Sequence, residues 1–548
     1  MAQVVQAKRG DAPRFAFAHV ADLLAVLVLT AVAMVAALTF RDYGLGWDDF
    51  THAQYGDLLL KLYGSGFSDR RAFGFVNLYM YGGGFDMLAA LAAKILPFDL
   101  FATRRLVGAA VGLVGLAATW RIGRKIGGPT AGLIALVLLA TCPLYYGHMF
   151  MNPKDAPFAA AMALLLLGLV RAVEEYPRPA PATVALFAIG LGLTIGSRII
   201  GGMAGLYAAA AVGLIVVVEV RALGARTSAA RLGRFMLVLL PGMVVAYLIM
   251  GLVWPWAVIA PLNPIRSLEY FSVFFEKPWK EMFGGQLIAV PDMPRSYVPT
   301  LFALKMPEAF LLLATAGIIG AAITAARRDV PLQRRATLVL VVTAAVLPIA
   351  IAVATKPAAY NGIRHFIFVT PPLAALGGFF GAQLFDWLGR HGRAARGAGA
   401  AAFVAALTLP VIEQVRLHPY QYTYFNSIAG GVAGADERYM LDYWGLSFKE
   451  AGEALRARLE QEPVRRSRRW TVAVCGPHPP ARVALGDDFV LTWDPKGADF
   501  ALMLGEFYCA QLDAPILVEI EREGVVYARA YDIRGRSVST LFTLPPVQ

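Results

Sequence analysis

The chain has 548 residues, of which 58% are hydrophobic and only 16% charged, and its mean hydropathy is +0.57. Soluble domains carry about a quarter charged residues, so an ordinary soluble protein is excluded and a polytopic membrane protein with a smaller soluble part is implied. The net charge of +12 points less to nucleic acid than to lysine and arginine holding loops on the cytoplasmic side of a membrane.

Lys8, Arg9 and Arg14 precede an apolar run at 19–40. That run is too long for the core of a secretory signal, and no small-x-small cleavage site closes it. It reads as a retained first helix. The stretch 44-GLGWDDFTHAQYGD-57 follows at once and sets Asp48 and Asp49 side by side at the lip of the bilayer. Tyr55, Leu58, Leu59 and Leu62 then recur at helical spacing, which predicts an amphipathic interfacial helix with the acids at its start. Asp57 reads as an ordinary solvated acid.

Further apolar runs lie near 75–96, 105–121, 129–147, 156–173, 182–199, 202–220, 235–256, 305–325, 336–354, 365–387 and 399–416. Each approaches the 20 or so residues that cross a bilayer. Four arginine-rich loops, 121–125, 221–234, 327–335 and 390–396, belong inside by the positive-inside rule, as does the basic N-terminus. The loop 41–74 is then outside, and an odd number of crossings must separate it from 121–125. One of the two runs between them does not span. The run 75–96 carries Asp86, the glycines 82–84 and several tyrosines, which suit a juxtamembrane helix, so it is assigned to the surface. The cost is that Arg104 and Arg105 are left outside. The expectation is about eleven transmembrane helices, N-terminus in and C-terminus out, in a membrane unit 1–416 with large external loops at 41–104 and 257–304.

The tail, 417–548, changes character. Charge rises, a helix-like stretch at 447–460 appears, and 470-WTVAVC-475, 489-FVLTW-493 and 516-ILVEIE-521 read as strands. This predicts a small extracytoplasmic α/β domain. Of the three cysteines, Cys142 sits in an apolar run and reads as a core residue. Cys475 and Cys509 lie in the tail, where they can pair if the tail faces an oxidising compartment. No CxxC or HExxH zinc pattern is present.

Charged residues near a membrane are expensive unless they pair or serve. Asp48 and Asp49 are the first candidates, against the plain reading of a solvated loop start. In 151-MNPKDAPF-158, Lys154 and Asp155 make a turn ion pair on the plain reading. On the other, Asp155 shares an external cavity with Asp48, and two converging carboxylates suit proton abstraction from a hydroxyl or amine. Arg198, in 194-TIGSRIIGG-202, either snorkels or binds phosphate with its fork. Arg364 and His365, in 360-YNGIRHFIFVTPPLA-374, are either interfacial anchors or a phosphate-binding pair. His52 and Tyr55 complete the substrate-contact candidates.

This order of features resembles the family 39 and related C-type glycosyltransferases, which include protein O-mannosyltransferases and the lipid A aminoarabinose transferase. The features are a carboxylate pair after the first span, an external turn ending in Asp, a basic residue and glycines between two spans, and an RH before PPLA. The resemblance covers about 1–375 and is clearest over 44–260. It implies a C-type membrane fold, a polyprenyl-phosphate sugar donor and an acceptor (lipid, glycan or protein) in an external cavity. The implied enzyme is a hexosyl- or pentosyltransferase of the bacterial inner membrane with a periplasmic active site. By position, Asp48 corresponds to the catalytic base, Asp49 stands where the family often has Glu, and Asp155 is the second external acid. Arg198 stands where relatives often carry Lys, and His365 where Tyr is frequent. Arg198 and Arg364 would hold the lipid phosphate, with Lys154 a weaker candidate. No cofactor is implied; a divalent ion is conceivable but not expected. The run 418-HPYQYTYFNSIAGG-431 and 442-DYWG-445 also resemble this group, with His418, Tyr424 and Asn426 either bordering the cavity or packing the tail down. The rival class is a transporter or flippase for a lipid-linked or anionic substrate, and the acids in loops rather than mid-span speak against it.

Overall fold

A computed structural model describes residues 12–272, 279–461 and 468–542, with side chains from 20 onward in the first helix. Lys8 and Arg9 lie outside the described residues, as do the side chain of Arg14 and positions 273–278 of the loop 257–304.

Nine helices among the described residues are long and apolar enough to cross a membrane: Val20–Thr39, Leu100–Gly127, Asp155–Glu174, Ile199–Leu223, Ala225–Val253, Glu308–Ala326, Leu332–Thr355, Arg364–Arg390 and Arg393–Arg416. A bent pair of apolar helices makes the count ten if it is one span. Pro129–Ala140 and Pro143–Met151 meet at 64°, because Pro143 has no N–H to continue the ladder and forces Cys142 into an extended conformation (ψ 106°). The apolar helix Pro181–Ser197, expected as a span, is shorter than these, at 17 residues. Its tight pairing with Asp155–Glu174 rests on small residues: Gly168 lies against the Phe187 backbone and Gly190 against the Leu165 backbone.

The run 75–96 does not form a span. It holds a 3-10 turn at Leu78–Met80 and the nine-residue helix Gly84–Ala92, about 14 Å at 1.5 Å per residue, too short for a bilayer. Its glycine run answers to close approach. Gly82 donates its N–H to Ser197 O, and a Cβ there would lie 1.3 Å from Gly196 O. The loop is thereby tied to the end of Pro181–Ser197, beside Arg198.

The basic loops gather at one end of the bundle. Arg124 pairs with Asp22, Lys125 with Glu174, Arg231 with Glu219, and Arg334 donates to Ile126 O. The acids and the tail meet at the other end.

The tail forms the expected small sheet, in the order β4-β3-β5-β7-β6. Strands β3 (Trp470–Cys475), β4 (Phe489–Thr492) and β5 (Phe500–Leu504) are parallel; β7 (Val525–Asp532) runs antiparallel to β5, and β6 (Ile516–Arg522) pairs antiparallel with β7 at the edge. The helix Phe448–Glu460 covers it, as its apolar spacing predicts. Cys475 and Cys509 are disulfide-bonded, joining the carboxyl end of β3 to the loop after β5. A separate hairpin, β1 (Lys280–Phe283) and β2 (Gln286–Ala289), lies in the loop 257–304; sequence reading missed it.

Two carboxyls sit where the sheet meets the membrane helices. Glu506 is buried and accepts from Leu441 N. Asp442 accepts from Leu446 N, Ser447 N and the Tyr422 hydroxyl. Burial, then repulsion from Asp442, pushes Glu506 up to about 8. Above the ordinary carboxyl range the unfolded chain has released this proton while the folded chain still holds it. Stability is therefore full at acid pH and is lost as pH rises toward 8, by about 1.4 kcal/mol per pH unit inside that window. Thermal unfolding of the detergent-solubilised protein between pH 5 and 8 should show this decline, and Glu506→Gln should flatten it.

Candidate active site

Asp48 occupies the N-cap position of the helix Asp49–Gly64, yet its side chain caps nothing. An Asp at that position ordinarily accepts from the first helical N–H groups. Here the carboxylate turns to Lys154, whose ammonium lies 3.1 Å from Oδ2. Its side chain keeps 38% exposure, so it can be reached. Burial works to raise the Asp48 carboxyl, but Lys154, His52 and Arg364 together outweigh it and hold the group well below the usual carboxylate range.

Lys154 therefore ignores its neighbour in sequence. Asp155 is instead held between two arginines: Arg198 Nη2 lies 2.6 Å from Oδ1 and Arg364 Nη1 donates to Oδ2 at 3.0 Å. Asn152 shapes the turn. Its Oδ1 accepts from the backbone of Lys154 and Asp155, and its Nδ2 donates to Asp155 Oδ2. Lys154 and Arg198 are both 16% exposed and flank the Tyr81 ring at 5.3 and 5.5 Å. Arg364 is buried between the rings of Tyr360 and Trp444, at 4.8 and 5.4 Å, and His365 packs edge-on to Tyr360. One partly exposed carboxylate thus faces Lys154, and a second, buried carboxylate anchors Arg198 and Arg364 beside it. Three cations against two acids leave a net positive patch, suited to an anion such as a phosphate.

Asp49 is fully buried and bound to Arg105 through both oxygens, at 3.0 and 2.6 Å, with Gly46 N also donating to it. Asp86 accepts from Arg104 at 2.7 Å and lies 2.6 Å from His52 Nδ1. These pairs explain why Arg104 and Arg105 fall outside the basic loops: they neutralise Asp49 and Asp86 beneath the site. Removing one partner of a buried pair leaves an uncompensated charge, at a cost of about 3–5 kcal/mol. Asp49→Ala should lower the unfolding midpoint accordingly, while Asp57→Ala, at an exposed position, should leave it unchanged.

His52 is buried in that underlying layer. Tyr55 is not brought to the cluster: its ring packs with Leu59, Leu62, Ala72 and Leu78, because Tyr55 lies on the inward stripe of its helix. Asn426 caps a turn and donates to the carbonyls of Ala303 and Met306, His418 pairs with Asp42, and Tyr424 is buried. All three serve packing of the tail. The tail does reach the site through the DYWG segment. Trp444 packs over Arg364, and the Tyr443 hydroxyl lies 3.1 Å from His148 Nε2, whose Nδ1 is 3.2 Å from Asn152. Sequence reading passed over Tyr81, His148 and Tyr443; Tyr81 lies far along the chain from Lys154 and Arg198, and only the fold sets its ring against them. Among the described residues no group of three or more His, Cys, Asp or Glu side chains is placed to hold a metal ion.

Residues 84–254 match the family described as dolichyl-phosphate-mannose-protein mannosyltransferase. The matched segment holds Arg104, Arg105, Lys154, Asp155 and Arg198. Over that segment, under a third of the chain, the sequence is similar to this mannosyltransferase family, in line with the resemblance its motifs carried. No curated protein matches the chain. Among solved structures, ArnT from Cupriavidus metallidurans in the apo state is similar over 93% of this chain and 97% of that one, at 16% identity and a TM-score of 0.47. The undecaprenyl phosphate-bound form of ArnT aligns over 93% and 99%, at 16% identity and 0.44. The archaeal oligosaccharyltransferase AglB from Archaeoglobus fulgidus, in complex with an inhibitory peptide and a dolichol-phosphate, aligns over 88% and 69%, at 13% identity and 0.48.

Proposed function

We propose that this chain is a glycosyltransferase that moves a sugar from a polyprenyl-phosphate donor to a lipid, glycan or protein acceptor at the periplasmic face of the inner membrane. The observation that carries the reading is the uncapped, partly exposed carboxylate of Asp48 set against Lys154, beside Arg198 and Arg364 on Asp155. The acceptor's hydroxyl or amine attacks the anomeric carbon, Asp48 takes its proton, and the bond to the lipid phosphate breaks. Arg198 and Arg364 stabilise the departing phosphate. Asp155 positions the two arginines, and Asp49 fixes the start of the Asp48 helix through Arg105. Attack opposite the leaving group gives inversion at the anomeric carbon.

The Lys154 contact also regulates the base. A carboxylate held far below neutrality is a poor proton acceptor. An arriving phosphate competes for Lys154, and as the ammonium turns to it Asp48 regains basicity. The base thus becomes effective when donor is present.

The periplasmic side is supported by two independent features. The basic loops collect at the end of the bundle away from the site, and the Cys475–Cys509 disulfide belongs to an oxidising compartment. The tail beyond 416 is then an extracytoplasmic unit docked on the catalytic end of 1–416.

The test is transfer by purified protein from polyprenyl-phosphate sugars to envelope lipid, glycan and protein fractions. Labelled sugar moving from lipid to acceptor is the expected result. No transfer with any lipid-linked donor, together with movement of the donor across vesicle membranes, would establish the transporter reading instead.

A further inference from the structure

The turn that presents Arg364 is conformationally costly and is held from outside. Between the helix Leu332–Thr355 and Arg364, the backbone enters the left-handed region at Lys356 (φ 49°), Asn361 (φ 55°) and Gly362 (φ 69°). Glycine adopts such angles freely and Asn tolerates them, but other residues avoid them. A turn of this kind needs its amides satisfied and its shape fixed by something else.

That support comes from a side chain about eighty positions earlier in the sequence. Glu281, on strand β1 of the external hairpin, is only 1% exposed. Its Oε2 accepts the Asn361 N–H at 2.6 Å, and its Oε1 accepts the Tyr297 hydroxyl at 2.6 Å. The Gly362 N–H reaches the same pair, 3.1 Å from Tyr297 Oη and 3.4 Å from Glu281 Oε1. At the edge of the hairpin Trp279 packs on Tyr360 at 5.9 Å, and Tyr360 is the ring under the Arg364 guanidinium. The hairpin is itself anchored: Gly285 N donates to Arg438 O, and Phe283 packs on both Tyr297 and Tyr439. Fully burying a carboxyl is expensive, and a neutral acceptor could satisfy a single amide. What the acid adds is two oxygens that reach the consecutive amides two and three positions before Arg364.

We propose that Glu281 is a positioning residue: by clamping the amides of Asn361 and Gly362 it fixes the turn that aims Arg364 at the donor phosphate. This rests on the reading of Arg364 as a phosphate ligand. Glu281 touches no substrate. The external hairpin is thereby part of the donor site, and specificity for the phosphate end of the donor depends on a loop that lies outside the membrane-spanning helices.

The test compares Glu281→Ala, Glu281→Gln and Tyr297→Phe in full-length protein in detergent, with Gln286→Ala, an exposed change on the same hairpin, as control. Thermal unfolding identifies the folded variants, farnesyl phosphate serves as the binding probe, and donor and acceptor KM are measured separately. Glu281→Ala is expected to raise the farnesyl phosphate Kd and the donor KM about tenfold or more, with acceptor KM unchanged. Glu281→Gln keeps one acceptor oxygen for Asn361, and the Tyr297 hydroxyl can turn toward Gly362 O, so it should fall in between. Tyr297→Phe should lie nearer wild type. A general loss of fold would move both KM values and spare neither. Donor KM and probe Kd within twofold of wild type in a folded Glu281 variant overturn the proposal; the Gln variant decides the matter if the Ala variant does not fold. Arg364→Met separates the two readings. If it binds farnesyl phosphate as wild type does, Arg364 is not a phosphate ligand and both readings fall. If it loses binding while the Glu281 variants keep it, only the clamp falls.

Discussion

Asp48→Asn is expected to reduce kcat for sugar transfer by about 10²- to 10⁴-fold, the usual yield of a positioned base, with little change in donor KM. The substitution is nearly isosteric and keeps an oxygen to face Lys154. It removes the ability to take a proton and, with the charge, the partner that competes with phosphate for Lys154, so donor KM should not rise. Donor binding is carried by Arg198, Arg364 and Lys154, all of which remain. The pH profile provides a second measurement with a defined sign. A base works in its ionised form, so activity falls as pH drops through its pKa. Lys154 holds Asp48 below the usual carboxylate range, so the acid limb of kcat/KM, which reports the free enzyme, should lie below that range. Lys154→Met should move the limb up toward about 4. If donor phosphate draws Lys154 away, the acid limb of kcat in wild type should lie above that of kcat/KM. Wild-type turnover by Asp48→Asn would remove this residue as the base.

Arg364→Met should lower kcat by about 10²- to 10³-fold, as expected for loss of one preorganised group facing developing charge, and should raise donor KM as well. Arg364→Lys should recover little. The guanidinium both donates to Asp155 and lies flat between Tyr360 and Trp444, and an ammonium has neither the plane nor the fork. Arg198→Met should cost less, since Arg198 is part-exposed and water can take over some of its role. Asp155→Asn should weaken both arginines together and also destabilise the fold by about 3–5 kcal/mol, because two cations lose their partner. Steady-state kinetics with separately varied donor and acceptor, alongside unfolding midpoints, distinguish these cases. Unchanged donor KM in Arg364→Met would sink its assignment to the phosphate.

The spanning helices were open to sequence reading because crossing a bilayer imposes a length and an apolar content that survive any tertiary arrangement; of about eleven expected, nine among the described residues meet both criteria, or ten if the bent pair is one span. The parity of the basic loops even singled out 75–96 as a run that does not cross, and the structure gives it only the short helix Gly84–Ala92. The same reasoning left Arg104 and Arg105 as exceptions. Their reason lies in Asp49 and Asp86, which the fold brings beneath the site; an excess of arginines on the wrong side, matched by an excess of acids, was the clue. The strands β3, β4 and β6 and the helix Phe448–Glu460 showed their periodicity. β5 and β7 were not identified; β5, FALML, is buried along its whole length and has no polar alternation to reveal it.

The sequence by itself determined that this is a many-spanning membrane protein with a mixed tail sheet. It also determined which charged residues stand in the turns at one end: Asp48, Lys154, Asp155, Arg198, Arg364 and His365. Hydropathy and charge bias act locally along the chain, so they are written there. Only the tertiary structure decided who pairs with whom. Lys154 faces Asp48 rather than its neighbour Asp155, and Asp155 binds an arginine 209 positions away. Glu281, on a hairpin strand that no motif marks, and Trp444, from the tail, join the site from far along the chain. Hydrogen bonds and ion pairs are settled within about 3 Å of space, a distance that sequence separation does not encode.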